Sequence, residues 1–284
     1  MRRLVLPALA FALLASPVSA ACPGESEIAA LASSYFSLEP AALPPADLTF
    51  ADGMCGQAKL NRHLQRFLGP QVGYKAGLTN PAVQQRFNHA APVRGTLYQG
   101  MMLKEGAILP AKFGSRPMFE ADLVAVVKDA GLARARSPEE AIRHIASIRP
   151  FIELPDLVVQ DPGKLNGAGI ALINVGARYG VLGTPVAVQP SKAWVEGLKS
   201  MTVRLVDQSG AELDSAKGEV ILGHPLMAAI WIAQDLEKGG MKIKKGDLLS
   251  LGSFSKLLPP KAGQSVTVRY EGLPVPLQAS VSFR

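Results

Sequence analysis

The stretch FEADLVAVV, residues 119–127, decides how the rest of the chain is read. Its later residues are almost purely apolar and belong in a core, yet it opens on Glu120 and Asp122. In an extended strand successive side chains alternate between faces, so residues two apart point the same way. Glu120 and Asp122 therefore share one face. Two carboxylates that close repel each other and resist desolvation unless something positive lies between them. The spacing leaves two readings open: a pair on the solvent face of a half-buried strand, or a pair facing a site that holds a cation.

Working outward, the pattern predicts a strand over 118–128, ended by Asp129-Ala130-Gly131. SPEEAIRHIASI (137–148) carries helix-start signals: Ser137 as N-cap, Pro138 in the first turn, then Glu139 and Glu140. It leads into RPFIELPDL (149–157), where Glu153 stands in a short extended segment. Three acids from two segments make a hard, all-oxygen set suited to Mg2+ or Mn2+, with Ca2+ as the alternative. Zinc is disfavoured, because His63, His89, His144 and His224 are scattered without ligand spacing.

Residues 25–37 have helical spacing, followed by the proline-rich connector EPAALPPADL (39–48). Residues 56–68 read as an amphipathic helix stopped by Gly69-Pro70. VGYKAGLTN (72–80) reads as a strand, and Pro81 opens a short helix. GIALINVGARYGV (169–181) reads as a glycine-bounded strand region, 203–223 as a hairpin turning at Gln208-Ser209-Gly210, and 224–240 as a strong helix. Two further strands, SVTVRYEG (265–272) and LQASVSFR (277–284), close the chain. Period-2 segments outnumber helices and do not alternate with them regularly. That pattern predicts an α+β fold with a mixed, largely antiparallel, curled sheet rather than a doubly wound one.

The first 20 residues are a different object. MRR is a positive opening, LVLPALAFALLA an apolar run, and SPVSA a small-residue cleavage site, so residues 1–20 are expected to be a signal peptide of an exported, periplasmic or secreted protein. The apolar run is shorter than the ~20 residues that span a bilayer, and no membrane span is expected. Losing Arg2 and Arg3 lowers the net charge from +7 to +5. That charge is spread out, without basic blocks interleaved with aromatics, which argues against nucleic acid and for a small anionic substrate. Cys22 and Cys55 are the two cysteines. In an oxidising compartment they would pair and pin the mature N-terminus; otherwise they are two structural thiols. The organisation read from these signals is a leader (1–20), an N-terminal helix and connector (21–55) and a catalytic domain (56–284).

The ordered set GYKAGLTNPAVQQRF, APVRGTL, FEADLVAVV, FIELPDL, NVGARYGVLG, GHPLMAAIWIAQDLEKGG and KKGDLLSLGSFSK resembles the fumarylacetoacetate hydrolase superfamily over roughly residues 56–270. Within it the match resembles the 2-keto-4-pentenoate hydratase and 4-oxalocrotonate decarboxylase branch. The resemblance implies a β-roll with flanking helices and a divalent metal held by Glu120, Asp122 and Glu153. The second acid of the family's E-x-E pair is here the shorter Asp122. It further implies Lys75, in GYK, as the group that moves a proton near substrate, with Tyr74 beside it in a tight setting. A short 2-oxo or 2-hydroxydienoic acid would chelate the metal, which stabilises enolate charge on the C2 oxygen. The same platform serves hydration, decarboxylation or C–C cleavage by water. A homo-oligomer is a further implication of the resemblance.

Two places depart from the family pattern. An Asp-Asn-x-Ser-like loop after the third acid is replaced by QDPGKLNGAG, where Asn166 is the stand-in. The substrate-facing turn near the C-terminus is GSFSK, where Ser253 would bind the substrate carboxylate and Lys256 adds a charge. SFSK also spells the S-x-x-K signature of penicillin-recognising serine enzymes, which needs a helix start and a distant K-T-G strand. A non-enzymatic reading is an exported protein that binds metal and a keto acid without turnover.

Overall fold

The computed structural model describes residues 22–284, so the leader expected over 1–20 lies outside the described residues. Thirteen strands are described: β1 Gln71–Gly77, β2 Val93–Tyr98, β3 Met102–Lys104, β4 Ala107–Leu109, β5 Glu120–Val127, β6 Ile145–Leu154, β7 Tyr179–Leu182, β8 Val186–Ala187, β9 Thr202–Asp207, β10 Glu212–Lys217, β11 Leu248–Ser250, β12 Ser265–Glu271 and β13 Leu277–Phe283. The helices are α1 Glu25–Ser37, α2 Phe50–Leu68, α3 Pro81–Arg86, α4 Pro138–Ala141, α5 Gly167–Leu172, α6 Lys192–Ser200 and α7 Pro225–Lys238. The larger sheet runs β2-β1-β11-β5-β6-β7-β3 with β8 on β6, and the smaller runs β10-β9-β12-β13-β4. Most pairs are antiparallel; β1–β11, β3–β7 and β4–β13 are parallel. The larger sheet curls into a half-barrel flanked by helices, the α+β architecture expected from the pattern.

The alternation along β5 explains how the core and the acids coexist. Ala121, Leu123, Ala125 and Val127 point into the main apolar core with residues of the smaller sheet and of α7. Glu120 and Asp122 take the other face, followed there by Val124, which packs on Phe151. One strand thus seals a core on one side and presents carboxylates on the other.

A second apolar cluster joins the N-terminal helices to this frame, packing Ile28, Leu31 and Tyr35 of α1 against Leu60 and Leu64 of α2, Leu97 of β2 and Ile170 of α5. The helix expected from residue 56 starts instead at Phe50, across the 55/56 division. Thr49 caps it, accepting the Asp52 N–H at 3.1 Å while the Asp52 carboxylate accepts the Thr49 N–H at 3.2 Å. Cys22 and Cys55 form a disulfide that ties the start of the described chain to α2. Gln57, buried on α2, donates to the carbonyls of Arg94 and Ala171 at 2.9 and 2.8 Å and so staples α2 to both β2 and α5.

Other elements also differ from the sequence pattern. The helix expected over 137–148 ends after one turn, continues as a 3-10 turn at Ile142–His144, and becomes strand at Ile145. There Ile145 and Ile148 pair with β5, and tertiary packing of branched side chains outweighs the helix-start signal. Residues 169–181, expected as strand, fold as the end of α5, a turn at Asn174–Gly176 and only then β7. A short buried apolar run has no periodicity to tell the two apart. Finally α6, unmarked in the pattern, is capped by Ser191.

Arg178 links the two clusters. Its Nε donates to Phe113 O at 2.7 Å, its terminal nitrogens to Tyr35 O at 3.0 and 2.7 Å, and its plane lies over the Tyr35 ring. Asp156, 3.7 Å away, is itself held by the N–H groups of Ser115 and Arg116. Both residues are buried. Removing one side strands a buried charge, so Arg178→Ala is expected to lower unfolding free energy by about 3–5 kcal/mol, read from the denaturant midpoint.

Candidate active site

Strand register brings the sequence-marked residues together. Glu120 on β5 lies directly opposite Glu153 on β6. Side chains directly across an antiparallel pair lie on one face about 5 Å apart, and like charges there repel. Lys75 on β1 pairs with Ser250 on β11, which pairs in turn with Val124 on β5. Lys75, Ser250, Asp122, Glu120 and Glu153 therefore share the face opposite the main core. Lys75 is buried, and its Nζ donates to Glu153 Oε1 and, at 2.9 Å, to the carbonyl of Val175.

Lys75, Glu120 and Glu153 form the floor of a cavity of about 400 Å3, joined at its polar end by Ser253, Ser255 and Lys256. Leu78, Val83, Phe87, Leu157 and Ile170 make an apolar wall. Such a cavity fits a small molecule with one charged end and a short hydrocarbon chain.

Asp122 lies behind this floor, fully buried. Its Oδ2 accepts the Ser250 hydroxyl at 2.6 Å, and its Oδ1 accepts the N–H groups of Leu251 and Gly252 at 3.1 Å each. The Tyr270 hydroxyl from the smaller sheet donates to Asp122 O and accepts the Phe151 N–H at 3.2 Å, entering the ladder between β5 and β6. Burial pushes the Asp122 carboxyl up to about 7, and the Glu153 charge adds to the push. Burial, followed by the same Glu153 charge, raises Glu120 well above the usual carboxylate range.

The three-acid grip on one ion expected from the sequence is not assembled as such: among the described residues no three acidic, histidine or cysteine side chains converge on a single point. Lys75 draws Glu153 aside, and Ser250 with two main-chain N–H groups engages both oxygens of Asp122. In charge and donor type the residues nevertheless fit a divalent cation. Two buried carboxylates, Asp122 and Glu153, and the half-buried Glu120 face one ammonium; once ionised they leave a negative excess, and all three offer hard oxygens. Glu120 and Glu153 open onto the cavity, and Asp122 supports them from behind.

The remaining expected residues divide. Ser253 lines the cavity, its hydroxyl donating to Ser255 O at 2.7 Å, and Lys256 lies exposed at the rim, its N–H on Asp214. They stand in a bend, not at a helix start, which removes the setting that S-x-x-K chemistry requires. Tyr74 does not reach the cavity; one position from Lys75 in a strand, it points into the main core, with Arg94 over its ring. Asn166 also stays away, because its side chain caps α5 by accepting the Gly169 N–H at 2.9 Å. The pattern left unmarked Ser250 and Val175. The alternation of Leu249, Ser250 and Leu251 was the one available signal for Ser250. His144 pairs with Asp129, and His224 caps α7 with Nδ1 accepting from the Leu226 N–H. His89 stacks on Phe50.

No family model matches the chain. A 2-keto-4-pentenoate hydratase of Paraburkholderia phymatum is 27% identical over 239 residues, covering 82% of this chain and 86% of that protein. A 4-oxalocrotonate decarboxylase of Pseudomonas sp. strain CF600 is 26% identical over 228 residues, covering 80% and 84%. Among solved structures, the 4-oxalocrotonate decarboxylase from Pseudomonas putida G7, complexed with magnesium and adipate, superposes with a TM-score of 0.80 at 21% identity, covering 92% of this chain and 97% of that one. The fold is that of the fumarylacetoacetate hydrolase superfamily. Within it, the chain is similar to the branch of 2-keto-4-pentenoate hydratases and 4-oxalocrotonate decarboxylases.

The pKa shifts set a pH dependence of stability when divalent cations are removed. Asp122, with an ordinary value of 3.8 and about 7 in the fold, binds its proton more tightly folded than unfolded. The folded state therefore holds more protons between these values, and stability falls as pH rises through that window. In chelator, the thermal midpoint is expected to drop from pH 5 to pH 8, and Asp122→Asn to drop less. A midpoint that climbs over this range would show the acids already neutralised by partners.

Proposed function

We propose that this chain is a divalent-cation-dependent lyase acting on a short 2-oxo or 2-hydroxydienoic acid, most closely a hydratase of the 2-keto-4-pentenoate type. The observation that carries the reading is Lys75 held at the floor of a cavity between Glu153 and Val175 O, beside Glu120. The relatives' names and coverage support the same reading. Mg2+ or Mn2+, held by Glu120 and Glu153 with Asp122 behind, would supply Lewis-acid stabilisation of charge developing on the substrate's C2 oxygen.

The chain's own residues do the rest. The apolar wall around Phe87 and Leu157 takes the hydrocarbon part. Ser253 stands at the polar end, where its hydroxyl would donate to the substrate carboxylate on turning away from Ser255 O. Lys75 moves a proton to or from the carbon chain, and Glu153 and Val175 O fix the direction from which its Nζ approaches. Decarboxylation on the same platform is the second reading, favoured by the overlap with the decarboxylase fold.

We also propose that the protein is exported. The leader pattern of residues 1–20 motivates this, and the Cys22–Cys55 disulfide supports it, since such bonds persist in oxidising compartments. Residues 1–20 fused to a reporter active only outside the cytoplasm should give reporter activity; an inactive reporter would count against export.

Incubation with 2-hydroxypenta-2,4-dienoate and Mg2+ or Mn2+ should bleach its ultraviolet absorbance, with a product mass showing gain of water for hydration. The decarboxylase reading expects carbon dioxide release from 4-oxalocrotonate instead. Chelator should stop turnover, and Lys75→Ala should lower kcat by about 100-fold to 10,000-fold while cation binding persists. Tight binding of the acid with no turnover under any cation would favour a binding protein.

A further inference from the structure

Asn174, Val175 and Gly176 have backbone φ of 53°, 55° and 66° in succession. Glycine adopts this left-handed conformation freely, asparagine tolerates it, and a branched residue such as valine is rarely found in it. A strained turn of this kind persists only where its surroundings hold it, and strain of this sort gathers at functional sites.

The holding group is the side chain of Asn174, which has no exposure to solvent. Its Oδ1 accepts the Thr96 N–H at 2.7 Å, and its Nδ2 donates to Thr96 O at 2.9 Å. Thr96 lies on β2, the edge strand of the larger sheet, so the amide completes the ladder there as one more strand would. The turn so pinned delivers the Val175 carbonyl to Lys75 Nζ. The neighbouring strands are carved to admit it. A Cβ on Gly95 would stand 2.8 Å from Asn174 O and 2.9 Å from Lys75 Cγ, and one on Gly77 would stand 2.4 Å from Val175 Cγ1.

We propose that Asn174 is a positioning residue for proton transfer: its amide clamps the left-handed turn to the edge of β2, and the turn holds the carbonyl on which the Lys75 ammonium is docked and aimed into the cavity. The proposal rests on the reading of Lys75 as the proton-transferring group. Asn174 touches no substrate in this scheme and acts wholly through Lys75.

The test is a double-mutant cycle on the full chain with Mg2+ and 2-hydroxypenta-2,4-dienoate. Asn174→Ala is expected to lower kcat by about 30-fold to 100-fold per folded molecule, with KM within about threefold, the scale of a misplaced reacting group. Asn174→Gly removes the clamp but takes the left-handed backbone without strain, so it provides folded protein if the alanine variant does not, and the same loss is expected. Because Asn174 acts through Lys75, Lys75→Ala with Asn174→Ala should be no slower than Lys75→Ala alone. A merely structural role would lower the folded fraction and leave kcat per folded molecule unchanged, which would overturn the proposal. Losses that multiply in the double variant would also overturn it. Turnover lost in Lys75→Ala but intact in both Asn174 variants sinks this inference alone, whereas turnover surviving in Lys75→Ala sinks the functional reading beneath it.

Discussion

The structure turns on a buried charge imbalance. Glu120, Asp122 and Glu153 lie on one face of the larger sheet, with a single ammonium, Lys75, among them. Carboxylates taken out of water without compensation are costly, and two facing each other across a strand pair are costlier still. Each neighbouring feature reduces that cost. Ser250 and the N–H groups of Leu251 and Gly252 solvate Asp122, and Lys75 offsets Glu153. Glu120, open to the cavity, retains the largest unmet demand for a positive partner. That demand is the physical reason for a cation and a ligand to enter there.

The scaffold can sustain this imbalance because its core is elsewhere. The odd-numbered residues of β5 seal the main apolar core, so the even-numbered face need contribute little to stability. Tyr270 reaches from the smaller sheet into the ladder between β5 and β6 and stiffens the strand pair that carries the acids. On the other side, α2, α5 and the Asn174–Gly176 turn brace β1 and β2 and with them Lys75. Acid and base thus come from separately supported elements, and their separation is set by the packing of whole strands rather than by a loop.

Parity explains much of what was legible in the chain and what was not. The shared face of Glu120 and Asp122 follows from strand alternation alone, and the sheet observes it. The same rule should have excluded Tyr74, which alternation sends to the face opposite Lys75. Asn166 was singled out as the stand-in for the family's Asp-Asn-x-Ser-like loop, and Asn174 was passed over because its glycine-rich segment has no periodic pattern to mark it. Only the folded chain shows that one caps a helix and the other clamps a sheet edge. The helix-start signals at Ser137 were real, and the cap is present, but pairing with β5 took over eight residues later, at Ile145.

The sequence by itself determined the α+β class, the strand that carries Glu120 and Asp122, and the face those two acids share, because these depend on local periodicity; Lys75 was marked only by the family resemblance. Tertiary structure alone decided which of them open onto the cavity, that Glu153 is claimed by Lys75, and that Asp122 is held from behind by β11. Those outcomes depend on strand order and register between segments far apart in the chain, a competition for partners that no local pattern encodes.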